Sequence, residues 1–230
     1  MGKFLLSSRG PRALWFTTAL AALVLLGGCR SAEDQQVRRL QARAAYEQGI
    51  KGLSEKRVTL GLTSLQEAVS LDPDNPLYRN ALGVVNLDLG RKAEAQEQFQ
   101  KAVALDPTYA EAQHNLGLAH AEQGRFEEAV ALYRKALVQP TYASPDLAYH
   151  NMGYAYLNLR KLKEAEEAFR LAIQLESKRA SAHYWLGVVL VESGRREEAK
   201  GSLRTARDLD PGSIIGRSAV EVLKALGDGG

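Results

Sequence analysis

The chain has 230 residues, 45% hydrophobic and 25% charged, the composition of a chain that folds rather than stays disordered. Its 30 Lys and Arg exceed its 27 Asp and Glu by three, and Lys3, Arg9 and Arg12 supply that excess within a first segment that holds no acid. The remainder is balanced, which removes the electrostatic basis for a nucleic-acid partner, and a single cysteine, Cys29, excludes an internal disulfide or a cysteine-based zinc site.

Residues 1–12 carry the three positive charges. Ala13 to Leu26 is then an apolar run broken only by Thr17 and Thr18. It falls short of the roughly 20 residues a membrane span needs. After Gly27-Gly28-Cys29 the composition turns polar with Arg30-Ser31-Ala32-Glu33-Asp34. A charged start, a short apolar core and small residues make a secretory signal, which predicts that residues 1–28 are removed. Residues 29–41 then form a short polar tether.

From residue 42 onward the sequence repeats. Gly83, Gly117, Gly153 and Gly187 form one ladder. Ala95, Ala129, Ala165 and Ala199 keep the same register, as do Ala102, Ala136, Ala172 and Ala206. Phe99, Tyr133, Phe169 and Leu203 form a fourth ladder. Glycine inside a helix costs about 1 kcal/mol relative to alanine, so its recurrence needs a packing reason. Small residues on two facing helices allow close approach, and the large residue fills the space beside them. Pro73, Pro107 and Pro211 end the second helix of their units.

Five units follow, 42–75, 76–109, 110–143, 146–179 and 180–213, and residues 214–230 supply a capping helix and a frayed tail. The first unit is degenerate, with Gln48 and Gly61 at positions where its siblings hold a large apolar residue and alanine. The third ends in Gln139-Pro140-Thr141-Tyr142-Ala143-Ser144-Pro145, two residues longer than the others. That stretch is either a neutral insertion or a loop presenting Tyr142 to a partner.

No catalytic residues are expected. His114 and His150 occupy equivalent repeat positions, and none of the four histidines has metal-ligand spacing. Glu127-Glu128 and Glu197-Glu198 fall at the same repeat positions near the starts of second helices, where carboxylates favour the helix dipole, and Glu166-Glu167 lines another second helix. No phosphate-binding or nucleophile motif is present, so neither cofactor, metal nor small-molecule substrate is predicted.

Two resemblances follow from these residues. Leu26-Gly27-Gly28-Cys29 resembles the lipobox of bacterial lipoproteins. This implies cleavage before Cys29, a diacylglyceryl group on its sulfur and a further acyl chain, such as palmitate, on its new amine. Several acyl chains anchor durably where one holds only marginally. In that family Asp after the cysteine retains the protein in the inner membrane. Arg30 here implies the outer membrane, facing the periplasm.

The repeat, with Leu-Gly at 7–8, small residues at 20 and 27, an aromatic at 24 and Pro at 32, resembles the tetratricopeptide (TPR) family. The implied fold is all-α, a right-handed TPR superhelix. In that family, residues of the first helix of each unit (helix A) line a concave groove. The resemblance places there Tyr46, Ile50 and Leu53; Leu77, Asn80, Val84 and Leu87; His114 and Leu118; Leu147, His150, Tyr154 and Leu157; and Tyr184, Val188 and Val191. Asn115 and Asn151 match the asparagine of the carboxylate-clamp type, yet the cationic partners are missing. An apolar groove suits an amphipathic helix or an extended apolar segment. Packing between units competes for the same aliphatics.

Lipobox, tether, array and the 140–145 stretch followed by His150-Asn151-Met152-Gly153 are together similar to the type IV pilus biogenesis pilotins, the PilF/PilW/Tgl-like family. Those carry six units, so five plus a cap is a departure or the same array counted differently. The resemblance implies an outer-membrane secretin subunit as partner and assistance to its assembly. A general envelope adaptor tethering peptidoglycan-active enzymes, and a periplasmic chaperone, are the alternatives.

Overall fold

A computed structural model describes the backbone of residues 12–228 and side chains from residue 33. The expected signal segment, the 26–29 box and Cys29 lie outside the residues whose side chains are described. The described residues form helices and turns, with no strand.

The chain divides into two compact units, 1–73 and 74–230. The first holds α1 (Arg12–Ser54) and α2 (Val58–Leu71), packed on one another. The helix continues through the 29–41 stretch, because residues 30–48 contain neither Pro nor Gly to stop it. Residues 33–41 of that helix are exposed, and burial begins at Ala42 and Ala45. A Cβ on Gly49 would lie 2.9 Å from Leu65, and one on Gly61 would lie 2.5 Å from Leu53. The degenerate unit therefore keeps its siblings' register: Gly49 faces Leu65 as their glycines face a large residue, while Gly61 stands where they hold alanine and Leu53 fills the space beside it.

The second unit holds α3 (Pro76–Asp88), α4 (Lys92–Leu105), α5 (Ala110–Ala121), α6 (Phe126–Leu137), α7 (Pro145–Asn158), α8 (Leu162–Leu175), α9 (Ala180–Glu192), α10 (Arg196–Leu209) and α11 (Ile214–Ala225). Each helix packs on the next, and the odd-numbered helices α3, α5, α7, α9 and α11 also touch in succession. This is the contact pattern of a solenoid, in which every repeat leans only on its neighbours. α11 packs on both α9 and α10 and buries Gly216, Ala219 and Leu223.

All twelve residues of the alanine and large-residue ladders are fully buried. The glycine ladder explains how. A Cβ on Gly83 would stand 2.5 Å from the Phe99 ring, on Gly117 2.7 Å from Tyr133, on Gly153 2.9 Å from Phe169, and on Gly187 2.6 Å from Leu203. Each ring or aliphatic side chain lies flat against bare helix backbone. Burying such a side chain contributes on the order of 1.5–3 kcal/mol.

The turn between the two helices of each repeat is equally regular. The N–H groups of Arg57, Arg91, Arg125, Lys161 and Arg195 donate to the carbonyls of Gly52, Asn86, His120, Tyr156 and Leu190, at 2.7–3.0 Å. This closure needs a left-handed residue just before the donor. Gly90, Gly124 and Gly194 supply it at φ of 73°, 76° and 77°. Lys56 and Arg160 do the same at 60° and 59°, a conformation that costs a non-glycine residue about 1 kcal/mol or more.

Candidate functional site

The site is built on the helix-A face of the second unit, on α3, α5, α7 and α9. Their regular spacing sets side chains of equal repeat position side by side. Equal position does not mean equal role, and the structure divides the expected groove residues into three kinds.

The first kind is exposed and apolar: Leu77, Val84, Leu147 and Tyr154, between 37% and 43% accessible. Leu118 and Val188, at the same position as Val84 and Tyr154, are half-buried. In the first unit Ile50 is exposed and Tyr46 and Leu53 are half-buried.

The second kind has been drawn into packing. Leu157 is buried, and Val191 and Tyr184 pack against the same apolar core. Leu87 packs against the smaller core around Phe99 and Leu116. Leu87, Leu157 and Val191 sit one helical turn beyond the position of Val84, Tyr154 and Val188, and Tyr184 sits one turn before Val188.

The third kind is polar and buried. Asn80 and His114 are engaged between repeats instead of being open to a ligand. Asn80 Nδ2 donates to the Tyr109 hydroxyl at 3.2 Å, and Asn115 Nδ2 donates to Asn80 Oδ1 at 2.9 Å. One repeat further, the Tyr142 hydroxyl lies 2.7 Å from His114 Nδ1, and Asn151 Nδ2 lies 3.3 Å from His114 Nε2. Because the amide N–H of Asn151 can only donate, Nε2 accepts, and the single ring proton sits on Nδ1, where it donates to Tyr142. Burial pushes the His114 pKa down to about 4, with Asp146 opposing, so the ring is neutral at pH 7.

The motif is therefore a polar seam. The fifth residue of one repeat takes a hydroxyl from its own repeat's end and an amide from the next repeat. The longer loop at 140–145 keeps this contact: Tyr142 reaches His114 as Tyr109 reaches Asn80. Asn115 and Asn151, which resemble a peptide clamp in sequence, are spent on joining repeats.

The seam stops at the fourth repeat. The repeat after His150 carries Trp185 at the position of Asn115 and Asn151, and so has no amide there to offer. Its Nδ1 is buried with no hydrogen-bond partner, and its ring meets Phe169 edge-on at 5.7 Å. Burial, with the Arg179 guanidinium nearby, also lowers the His150 pKa to about 4. Arg179 is paired with Asp146.

Trp185 is the residue the sequence did not single out. Its ring lies 5.1 Å from those of both Tyr154 and Tyr184, edge-on to each. With Tyr154, Leu157, Asn158, Val188 and the Arg160–Glu192 pair it lines an open recess of about 280 Å³. A tryptophan at a position held by Glu47, Ala81, Asn115 and Asn151 in the other repeats was the available signal.

Elsewhere, Arg195 bridges Glu166 at 2.6 Å and Glu198 at 2.5 Å, tying α8 to α10. Among the described residues no group of acidic, histidine or cysteine side chains has the arrangement to hold a metal ion. Among them too, no helix is long and apolar enough to cross a membrane.

A family model, tetratricopeptide repeat, matches residues 53–110, 80–147 and 150–214. Over 72 residues, 31% of its length, the chain is 35% identical to protein O-mannosyl-transferase TMTC2 of Homo sapiens, and it covers 9% of that protein. Among solved structures, PilW, a type IV pilus biogenesis factor, aligns with TM-score 0.74 at 21% identity, over 81% of this chain and 86% of PilW. PilF of Pseudomonas aeruginosa aligns with TM-score 0.65 at 22% identity, over 84% and 95%. MamA aligns with TM-score 0.64 at 23% identity, over 74% and 92%. Identities this low speak to the fold alone.

Proposed function

The chain belongs to the tetratricopeptide repeat family, an all-α array of helix-turn-helix units, and on that premise we propose that it is a protein-binding scaffold held on the outer membrane by lipidated Cys29. The observation that carries the scaffold reading is the row of exposed Leu77, Val84, Leu147 and Tyr154 on one face of a rigid array. Large side chains left accessible on a face whose other positions are tightly packed are available to a partner.

Within that role we infer assistance to an outer-membrane secretin in type IV pilus biogenesis. Three observations support it: the lipobox-like Leu26–Cys29, the secretory character of residues 1–26, and a fold like those of PilW and PilF. The partner is captured on the helix-A face, and the acyl chains keep the array at the membrane.

Deleting the gene tests this reading. Secretin multimers in the outer membrane and surface pili should both fall sharply, and a copy carrying Tyr154→Glu should not restore them. Intact multimers and pili after deletion would refute the pilus role.

A further inference from the structure

The helix-A face has more acidic than basic groups. In α3, α5, α7 and α9 the positions turned toward this face include Asp88, Glu111, Glu122 and Glu192, and none of them holds Lys or Arg. Lys92, the first residue of α4, reaches Glu122 at 3.0 Å, and Arg160, in the turn after α7, reaches Glu192 at 2.7 Å. Among the described residues no salt bridge is seen at Asp88 or Glu111. Leu77 and Val84 on α3 and Leu147 and Tyr154 on α7 are exposed. The recess beside Trp185 offers this face a place where an apolar side chain can sink below the surface.

We propose that this face recognises a cationic amphipathic segment of its protein partner, with an apolar side chain seated in the Tyr154–Trp185–Val188 recess and Lys or Arg side chains over Asp88 and Glu111. The proposal rests on the scaffold reading above and specifies the partner it takes.

The physical argument is complementarity. An acidic partner segment laid over Asp88 and Glu111 would be repelled. A neutral apolar segment would cover Asp88 and Glu111 and strip their water without a counter-charge, a desolvation cost with no return. A segment with basic residues flanking its apolar stripe answers both the carboxylates and the aliphatic row. The side-chain amides of Asn80, Asn115 and Asn151 and the ring of His114 are already used between repeats. They leave no row of amides to read an extended backbone, so a helix, which satisfies its own backbone, is the fitting form.

The test uses two fluorescein-labelled helical peptides of about four turns. They share one leucine stripe, and their polar faces are lysine in one and glutamate in the other. Binding to the full-length lipoprotein in detergent is read by anisotropy. The lysine peptide should bind, and the glutamate peptide should bind at least about tenfold more weakly. Raising salt from about 50 mM to about 300 mM should narrow that gap. Asp88→Lys with Glu111→Lys should reverse the preference, with helicity unchanged by circular dichroism.

Equal binding of both peptides, preference for the glutamate peptide, or no binding of either overturns the proposal. The scaffold reading fails separately, and only if Tyr154→Glu leaves capture of the native partner intact.

Discussion

The Tyr142 hydroxyl stands 2.7 Å from Nδ1 of His114, so the residue of the long loop that sequence offered as a partner contact is instead half of a buried hydrogen bond. Tyr142→Phe removes the acceptor and leaves a buried N–H without a partner. We expect a loss of about 1–3 kcal/mol in urea unfolding, with little change in the wild-type helical spectrum.

The same histidine makes stability depend on pH. In the unfolded chain it titrates near its usual 6.5, and in the fold burial holds it at about 4. Between those values the unfolded chain binds more protons, so stability is highest above the upper value and falls as pH drops through the window. At pH 5 the loss from His114 is about 2 kcal/mol. His150, shifted in the same direction beside Arg179 and Asp146, adds to it. Urea midpoints at pH 7 and pH 5 measure the drop, and His114→Asn should reduce it by the share of His114, leaving that of His150.

The packing ladders predict opposite effects for different glycines. Gly83→Ala drives a methyl to 2.5 Å from the buried Phe99 ring and should cost about 1–3 kcal/mol. Gly201, inside α10 with nothing within 4 Å of a Cβ, should gain roughly 0.5–1 kcal/mol as Gly201→Ala. Thermal unfolding of the two variants should therefore shift in opposite directions.

Arg160 sits where three sister repeats use glycine, at φ 59°. Arg160→Gly relieves the left-handed strain at the cost of an exposed pair with Glu192, worth little at the surface. A net gain of about 0.5–1 kcal/mol is expected, read as a raised melting temperature.

Much of this architecture is legible in residue spacing. The ladders at Gly83, Ala95, Phe99 and Ala102 and their repeats mark close helix approach, because a small residue recurring opposite a large one has few other meanings. The groove is less legible. Helical periodicity places Asn80, Leu87, His114 and Leu157 on the same face as Val84 and Tyr154, but it does not measure how closely the neighbouring helix leans over them. Asn115 and Asn151 match a peptide-clamp position, yet bond Asn80 and His114 across repeats, a pairing visible only when adjacent helices are placed together. Trp185 was missed because it interrupts the pattern, and patterns direct attention to what repeats.

Membrane attachment has its own test. Cys29→Ser should leave folding of the array unchanged while moving the protein from the membrane fraction to the soluble fraction of lysed cells. Retention of the serine variant in membranes would remove the lipid anchor from the proposal.

The account turns on one surface, the helix-A face, and site-directed photocrosslinking in living cells measures it directly. A photoreactive residue at Tyr154 or Val84 should yield a discrete crosslink to one envelope protein, identified by mass spectrometry, while one at Lys101 or Arg134, on second helices, should yield none. A crosslink from Lys101 or Arg134 with none from Tyr154 and Val84 would contradict the account and move the interface off this face.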